Sequence, residues 1–265
     1  MSIVIALSDP HSQLATLPRL REVQLMYPEA VTVFLGDYID CYGPNHGLTL
    51  LTQIRAMQAH DPAHTIVLLG NHEQGLLDYL ASPTQSAWLD YGGKETLRAA
   101  TRDWTTDKGP QFARQLLLNH QPELIAWLRQ LPLSYTLGKL SFVHAGLDLT
   151  LPHPLQDTSR HDQLWLDAKY WYVPAHWGLF AHNPLAFSVV TGHTPTARIT
   201  GRYAGNVHPA KTESERNAIY AVQYPNEMPR YFIDGGVGSG QPHTKLGNIA
   251  VFDSETGMLI DAYED

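Results

Sequence analysis

The sequence predicts an α/β fold with mixed sheets, and three features of the chain support this. Short aliphatic or β-branched runs recur, and each leads directly into a polar motif. Stretches with helix-like spacing of apolar residues separate the first three runs. Two further strand-like runs, joined by a turn at Glu255-Thr256-Gly257, lie within residues 248–263. Such a hairpin adds antiparallel strands to a sheet that is otherwise parallel.

Each predicted element follows from length and residue type. Residues 11–26 and 48–58 form the helical stretches between the first three runs, and this alternation predicts parallel strands with right-handed crossovers. Ligands bind at the carboxyl ends of such strands, where the polar motifs stand. The predicted buried strands are 3–7, 31–35, 65–69, 140–143, 187–190 and 231–233.

Residues 74–132 differ from this pattern because they are rich in Leu, Ala, Gln and Trp. They predict a helical insertion with a turn at Tyr91-Gly92-Gly93. The tryptophans there, Trp88, Trp104 and Trp127, have spacing suited to apolar packing, so we interpret them as helical core.

Composition excludes several classes of protein. The formal net charge is −8, which argues against a general nucleic-acid binder because such a protein needs a basic surface. No stretch approaches the ~18 apolar residues of a membrane span, and residues 1–10 lack the basic region of a signal sequence. The single cysteine, Cys41, fits a reducing compartment. We therefore expect a soluble, cytoplasmic protein without membrane or nucleic-acid partners.

Six residues at the strand ends form a ligand set for borderline divalent metals such as Mn, Fe(II) or Zn. On an extended chain Asp9 and His11 would point the same way and hold one ion. Asn71, His144 and His193 would hold a second ion. Asp37 would bridge the two, and such a pair of ions suits phosphoester hydrolysis. The six residues are Asp9, His11, Asp37, Asn71, His144 and His193.

Each motif has a structural alternative when it is taken alone. Asp-x-His is common in loops, and His144 could be a buried structural histidine. Gly70-Asn71-His72-Glu73 could be a helix N-terminus with a capping asparagine. Five motifs in order, each after an apolar strand, favour the metal site over these alternatives.

The motifs Asp-x-His, Gly-Asp-x-x-Asp, Gly-Asn-His-Glu, His-Ala-Gly and Gly-His-Thr resemble the signature of the calcineurin-like metallophosphoesterases. Gly-Asn-His-Glu with Gly-Asp-Tyr-Ile-Asp is most similar to the bacterial phosphoprotein phosphatase branch, and the resemblance runs from Asp9 to about Leu246. It implies a four-layer α/β/β/α sandwich in one domain, residues 1–265, with 74–132 as a helical insertion within it.

The resemblance also implies roles for individual residues. Asp9 and His11 hold the first metal, Asp37 bridges, and Asn71, His144 and His193 hold the second. His72 is similar to the family's general acid, oriented by Asp40, and a metal-bound hydroxide is the nucleophile. The implied cofactors are two divalent ions, Mn first and an Fe/Zn pair as the alternative. The implied substrate is a phosphomonoester, on a small molecule or on a phosphoserine or phosphothreonine protein.

The sequence departs from that pattern at two phosphate-binding arginines. Cys41 stands at the first position and Asp167 at the second. Bidentate arginine forks give geometry as well as charge, so their loss weakens the case for a phosphoprotein substrate. Lys169, Arg198 and Arg202 are candidate replacements.

Two other functions stay open on the same fold. One is a nucleotide or dinucleoside polyphosphate hydrolase whose Trp- and Tyr-rich insertion stacks a base. The other is a non-enzymatic binding relative that has lost its hold on phosphate, although the complete set of six ligands argues against it.

Overall fold

The computed structural model describes residues 2–40, 45–83, 87–106, 109–167, 182–199, 205–237 and 246–264. Within these ranges ten strands form two five-stranded mixed sheets, so the expected mixed α/β architecture is confirmed. The strands are β1 (Ile3–Leu7), β2 (Val31–Phe34), β3 (Thr65–Val67), β4 (Ser134–Leu137), β5 (Leu140–Val143), β6 (Ser188–Thr191), β7 (Tyr220–Val222), β8 (Arg230–Phe232), β9 (Ile249–Asp253) and β10 (Met258–Tyr263).

Eight α-helices lie in the same described ranges. Most of the predicted insertion is helical, as expected. No helix of the described chain has the length and apolar character needed to cross a membrane. The helices are α1 (Thr16–Met26), α2 (Thr49–His60), α3 (Asn71–Ala81), α4 (Gly93–Thr101), α5 (Pro110–His120), α6 (Pro122–Leu128), α7 (Pro154–Asp157) and α8 (Arg160–Trp165).

The first sheet has the strand order β10-β9-β1-β2-β3. Strands β1, β2 and β3 pair in parallel, and helices α1 and α2 connect them in the predicted alternation. The C-terminal hairpin of β9 and β10 adds antiparallel strands beside β1. The second sheet has the order β4-β5-β6-β8-β7, with β5, β6 and β8 parallel and the two edge strands antiparallel.

Three buried apolar clusters show how the layers stack. Along β1, side chains alternate between two of them, as the two faces of a strand require. Ile5 and Leu7 pack with the helices, whereas Val4 and Ala6 pack between the two sheets. A third cluster, which includes Val143, lies on the far side of the second sheet. The expected α/β/β/α sandwich is therefore confirmed.

Two helix starts differ from the sequence-based expectation. Helix α1 begins at Thr16 rather than at residue 11, because His11 and Ser12 adopt left-handed backbone angles that interrupt a helix. Helix α3 begins at Asn71, so the helical region starts before residue 74. Asn71 is the first helical residue and Gly70 is the N-cap, so the asparagine itself does not cap the helix.

Candidate metal centre

The carboxyl ends of five parallel strands bring the six predicted ligand residues together. Asp9, Asp37 and Asn71 follow β1, β2 and β3 of the first sheet. His144 and His193 follow β5 and β6 of the second sheet. The site therefore lies where the carboxyl ends of strands from both sheets come together.

The backbone of the first two loops is left-handed, and this corrects one expectation. Asp9 has φ 53° and His11 has φ 38°, so the two side chains are not two positions apart on an extended strand. Non-glycine residues in this region cost roughly 1–3 kcal/mol each. Backbone hydrogen bonds hold them there, since the N–H of Asp9 donates to Gly36 O at 3.1 Å and that of His11 to Asp37 O at 3.0 Å.

Asp37 lies at the centre of the site. Its Oδ2 is 3.4 Å from His144 Nε2, 4.0 Å from His11 Nε2 and 3.8 Å from His72 Nε2. Burial alone would raise the pKa of Asp37, but the charges of His144 and His72 hold it well below its usual value. One oxygen of the ionised Asp37 carboxylate thus faces His144 of the second sheet as well as His11 and His72 of the first, which is the position that a bridging ligand needs.

Asn71, His144 and His193 form what we call the buried half-site. Asn71 Oδ1 lies 2.8 Å from His144 Nε2 and 2.9 Å from His193 Nδ1. His144 Nδ1 donates to Leu35 O at 2.9 Å, and a carbonyl oxygen can only accept. This contact fixes the ring and leaves Nε2 as the nitrogen that faces the site.

Asp9 and His11 form the open half-site. His11 Nδ1 donates to the carbonyl of Ile39 at 3.0 Å, so its Nε2 is the nitrogen that faces the carboxylates. That Nε2 is 4.0 Å from Asp9 Oδ1, and the His11 side chain is 16% exposed. Asp9 Oδ2 accepts from the Ser8 hydroxyl and, at 2.9 Å, from the backbone N–H of His193.

A glycine permits this approach of the two sheets. A Cβ added at Gly192 would lie 2.3 Å from Asp9 Oδ2 and closer still to the Ser8 hydroxyl. The glycine of the Gly-His-Thr motif is therefore needed for packing against the open half-site.

His72 and Asp40 form a close pair beside the ligands. His72 Nδ1 is 2.7 Å from Asp40 Oδ2. Asp40 Oδ2 also accepts from Trp88 Nε1 at 2.6 Å, and its Oδ1 accepts from the Thr96 hydroxyl. Trp88 is buried as predicted, but its indole is also a polar partner of the site, which the interpretation as plain helical core missed.

The pKa values of three histidines in the site diverge. Burial alone would lower the pKa of His72, but Asp37 and Asp40 raise it to about 10. In the same way Asp37 outweighs burial at His144 and raises its pKa to about 9. Burial and the nearby His144 lower the pKa of His193 to about 3. Without a metal ion, the rings of His72 and His144 are imidazolium cations at neutral pH and the ring of His193 is neutral.

Sequence reasoning gave Glu73 no role in the site, yet its carboxylate holds the second loop in place. It accepts the backbone N–H groups of Asp37 at 2.9 Å, Tyr38 at 2.8 Å and Ile39 at 3.2 Å. The Gly70-Asn71-His72-Glu73 motif was the available signal, because a glutamate at the third helical position often reaches back to backbone donors.

The structure describes only some of the predicted phosphate-binding positions. Cys41, Lys169 and Arg202 lie outside the described residues. Asp167 is described, and its charge acts on His193, so an acid does stand close to the site at that position. Arg198 is exposed to solvent.

The donor set fits divalent metals. Two groups could each hold an ion: Asp37 with His144 and His193, and Asp37 with His11 and His72. Asn71 Oδ1 adds an oxygen donor to the group with His144, and Asp9 Oδ1 adds one to the group with His11. Mixed imidazole, amide and carboxylate ligands suit Mn, Fe and Zn. The second group contains His72, which the sequence analysis did not predict as a metal ligand. His72 differs from the predicted histidine ligands because its Nδ1 is bonded to the carboxylate of Asp40.

Comparison with known proteins agrees with the fold. A family model for calcineurin-like phosphoesterases matches residues 3–223. The protein therefore belongs to the calcineurin-like phosphoesterase family. Members of this family use a pair of divalent metals on phosphorylated substrates, so the protein is a metal-dependent phosphoesterase. The enzymatic expectation is confirmed, and the non-enzymatic alternative is set aside.

Three solved structures share the fold. A protein serine/threonine phosphatase from Saccharomyces cerevisiae has a TM-score of 0.56 and 14% identity, covering 100% of this chain and 80% of that chain. A cold-active protein-tyrosine phosphatase from a psychrophilic Shewanella species has a TM-score of 0.50 and 17% identity, covering 98% and 80%. A hypothetical protein from Pyrococcus horikoshii has a TM-score of 0.51 and 13% identity, covering 100% and 88%. The comparison with curated proteins finds no match.

Proposed function

We propose that the chain is a phosphomonoesterase whose six strand-end residues hold two divalent ions. The open half-site would hold one ion, the buried half-site the other, and Asp37 would bridge them. The observation that carries the proposal is the position of Asp37 Oδ2, which faces His11 at 4.0 Å and His144 at 3.4 Å. When bound, such a pair of ions supplies Lewis acidity and activates water at neutral pH.

His72 is the proposed general acid for the leaving oxygen. Its Nδ1 is held by Asp40 at 2.7 Å, which leaves Nε2 directed towards the Asp37 side of the site. A leaving alkoxide needs a proton, and an imidazolium paired with a carboxylate can deliver one. Asp37 and Asp40 together raise the pKa of His72 to about 10, so cations bound at Asp37 would lower that pKa towards neutrality.

The substrate proposed is a phosphomonoester, with a phosphoserine or phosphothreonine protein as one candidate. The serine/threonine and tyrosine phosphatases among the solved structures support a phosphatase on this fold, at identities that leave the substrate open. The acid at Asp167 supports a site that relies on its metals, rather than on arginine, to hold phosphate.

Hydrolysis of nucleotides or dinucleoside polyphosphates is the alternative, and the insertion gives it less support than expected. Trp88 donates to Asp40, and Trp127 Nε1 donates to Gln58 Oε1 at 2.8 Å. Trp104 stacks on His120 with ring centroids 4.4 Å apart. Each of the three indoles thus has a partner within the protein.

Finer assignments belong to the same proposal. The Gly-Asn-His-Glu motif supports the bacterial phosphoprotein phosphatase branch, and the continuous series of motifs supports one domain over residues 1–265. Manganese is the proposed metal, with an Fe/Zn pair as the alternative. The single cysteine supports a cytoplasmic location.

Replacement of the general acid tests the mechanism. His72→Asn should lower kcat by ~100-fold or more for phenyl phosphate, because general acid catalysis contributes on the order of 10²–10⁴. It should affect p-nitrophenyl phosphate much less, because that leaving group needs little protonation. Metal content should stay near that of the wild type. An equal loss on both substrates would show that His72 is not the acid.

A further inference from the structure

A chain of hydrogen bonds runs from Asn45, in the loop before α2, to Asp40 through Thr96 of the helical insertion. It begins at Asn45, whose Oδ1 accepts the N–H of Gly47 at 2.7 Å. That bond fixes the orientation of the amide, so Nδ2 is the group that faces Thr96. Asn45 Nδ2 donates to Thr96 Oγ1 at 2.9 Å. The amide nitrogen can only donate, so the direction of this step is settled.

Because Thr96 accepts a hydrogen bond from Asn45, its own hydroxyl donates to Asp40. The Thr96 side chain is fully buried on α4, and its oxygen accepts from Asn45. The single hydroxyl proton is therefore available for Asp40 Oδ1, with which Thr96 Oγ1 is in contact. Asp40 Oδ1 is thus an acceptor.

Trp88 fixes the other oxygen of the same carboxylate. Its indole N–H, which can only donate, lies 2.6 Å from Asp40 Oδ2. Two glycines make room for the ring, since a Cβ at Gly75 or Gly93 would lie 2.7 or 2.6 Å from indole atoms. Close packing against these glycines therefore holds the indole where its N–H reaches Asp40.

We propose that Asn45, Thr96 and Trp88 are positioning residues that hold Asp40 as an acceptor on both oxygens and so orient His72. With both oxygens accepting, His72 must donate through Nδ1 and turns Nε2 towards Asp37. The helical insertion is then part of the catalytic unit. The inference rests on the proposed role of His72, and it adds residues to which no role had been given.

A purely structural role for these contacts makes a different prediction. Loss of packing or of a buried hydrogen bond would lower stability and reduce turnover of all substrates alike. Loss of orientation of the acid would spare substrates with good leaving groups and leave KM and metal content unchanged. The dependence on the leaving group therefore separates the two roles.

Thr96→Val removes the donated proton while nearly conserving shape. We expect kcat for phenyl phosphate to fall ~10-fold, within the range typical when a supporting hydrogen-bond partner is removed. Turnover of p-nitrophenyl phosphate should change less than ~2-fold, because its leaving group needs little protonation. Thr96→Ser keeps the hydroxyl and should restore both activities.

Thr101→Val is the matched control. Thr101 is buried on the same helix, but its hydroxyl donates to Leu97 O at 2.8 Å rather than to Asp40. It should alter stability without changing the ratio of the two activities. Should Thr96→Val fold poorly, Asn45→Ala tests the same chain from its partly exposed end.

A spectroscopic measurement on the metal-free protein gives an independent readout. In histidine labelled with ¹⁵N, the Nδ1-bound proton of His72, assigned by its loss in His72→Asn, should exchange slowly in the wild type and in Thr101→Val. It should exchange faster in Thr96→Val.

The possible outcomes separate the two proposals. If His72→Asn shows the leaving-group effect but Thr96→Val lowers both activities equally or neither, the positioning role is wrong and the general acid stands. If His72→Asn itself lowers both equally, the general acid is wrong and the positioning role fails with it. A ratio that changes as much in Thr101→Val as in Thr96→Val would also overturn the positioning role.

Discussion

The two halves of the candidate metal centre differ in how far the protein fixes them before an ion binds. In the buried half-site, Asn71 Oδ1 is 2.8 and 2.9 Å from two imidazole nitrogens. In the open half-site, His11 Nε2 is 4.0 Å from Asp9 Oδ1, and its side chain is 16% exposed. Among the residues that the structure describes, Asp37 is the one that belongs to both candidate metal groups.

This difference suggests that the two ions bind unequally. A preorganised set of donors loses little conformational freedom on binding, so the buried half-site should hold its ion more tightly. The open half-site relies on a left-handed loop held by backbone hydrogen bonds. It should exchange its ion more readily, and the experiments below test this asymmetry.

The largest effect is expected from the residue that the two halves share. Asp37→Asn removes the charge that faces both ions, so we expect phosphatase turnover to fall below detection and both ions to be lost on dialysis. Metal content by mass spectrometry and turnover of p-nitrophenyl phosphate measure this. Asp61→Asn, on a half-exposed surface carboxylate, is the control. Retention of two ions by Asp37→Asn would show that Asp37 does not bridge.

The next effect is the pH dependence of the buried half-site. The pKa of His144 is about 9 without metal, so a cation must displace its proton below that pH. The affinity of this half-site should rise by ~10-fold per pH unit from pH 6 to 8. In the metal-free protein the same shift stabilises the fold at low pH, and this contribution is lost as pH rises from 6.5 to about 9.

Competition with a chelator at several pH values, together with proton release measured by calorimetry, checks this second prediction. Affinity that does not change over that range would mean that His144 binds no proton in the metal-free state.

The smallest effect is expected at the open half-site. Ser8 donates its hydroxyl proton to Asp9 Oδ2. Ser8→Ala should weaken the more loosely held ion by ~10-fold, the scale of supporting contacts around metal ligands, and leave the tighter ion unchanged. Ser141→Ala, at a buried serine of β5, is the matched control. Equal weakening of both ions would contradict the assignment of Asp9 to the open half-site.

The arrangement of strands and the meeting of the ligand residues could be predicted because both follow from local patterns. Apolar runs mark the strands, and parallel strands place their carboxyl ends together, so Asp37 and Asn71 had to be neighbours. The left-handed backbone at Asp9 and His11 could not be predicted, because it depends on hydrogen bonds to Gly36 and Asp37 in the loop after β2.

The partners of the ligand residues were harder to predict for a related reason. Trp88 looks like any core tryptophan in the sequence, and only the fold shows that its N–H reaches Asp40, 48 positions earlier. The contacts of Glu73 likewise depend on which backbone N–H groups the fold brings to its carboxylate. The roles of such residues depend on contacts made in the folded protein, and composition and motif spacing do not predict those contacts.

The most direct test of the account is hydrolysis by metal-stripped protein refilled with manganese. We expect turnover of p-nitrophenyl phosphate to return as two ions per chain bind, with the second ion required, and to be absent in Asp37→Asn. Bis-p-nitrophenyl phosphate should be hydrolysed more slowly. Two bound ions without hydrolysis of the monoester, or turnover that survives Asp37→Asn, would contradict the account.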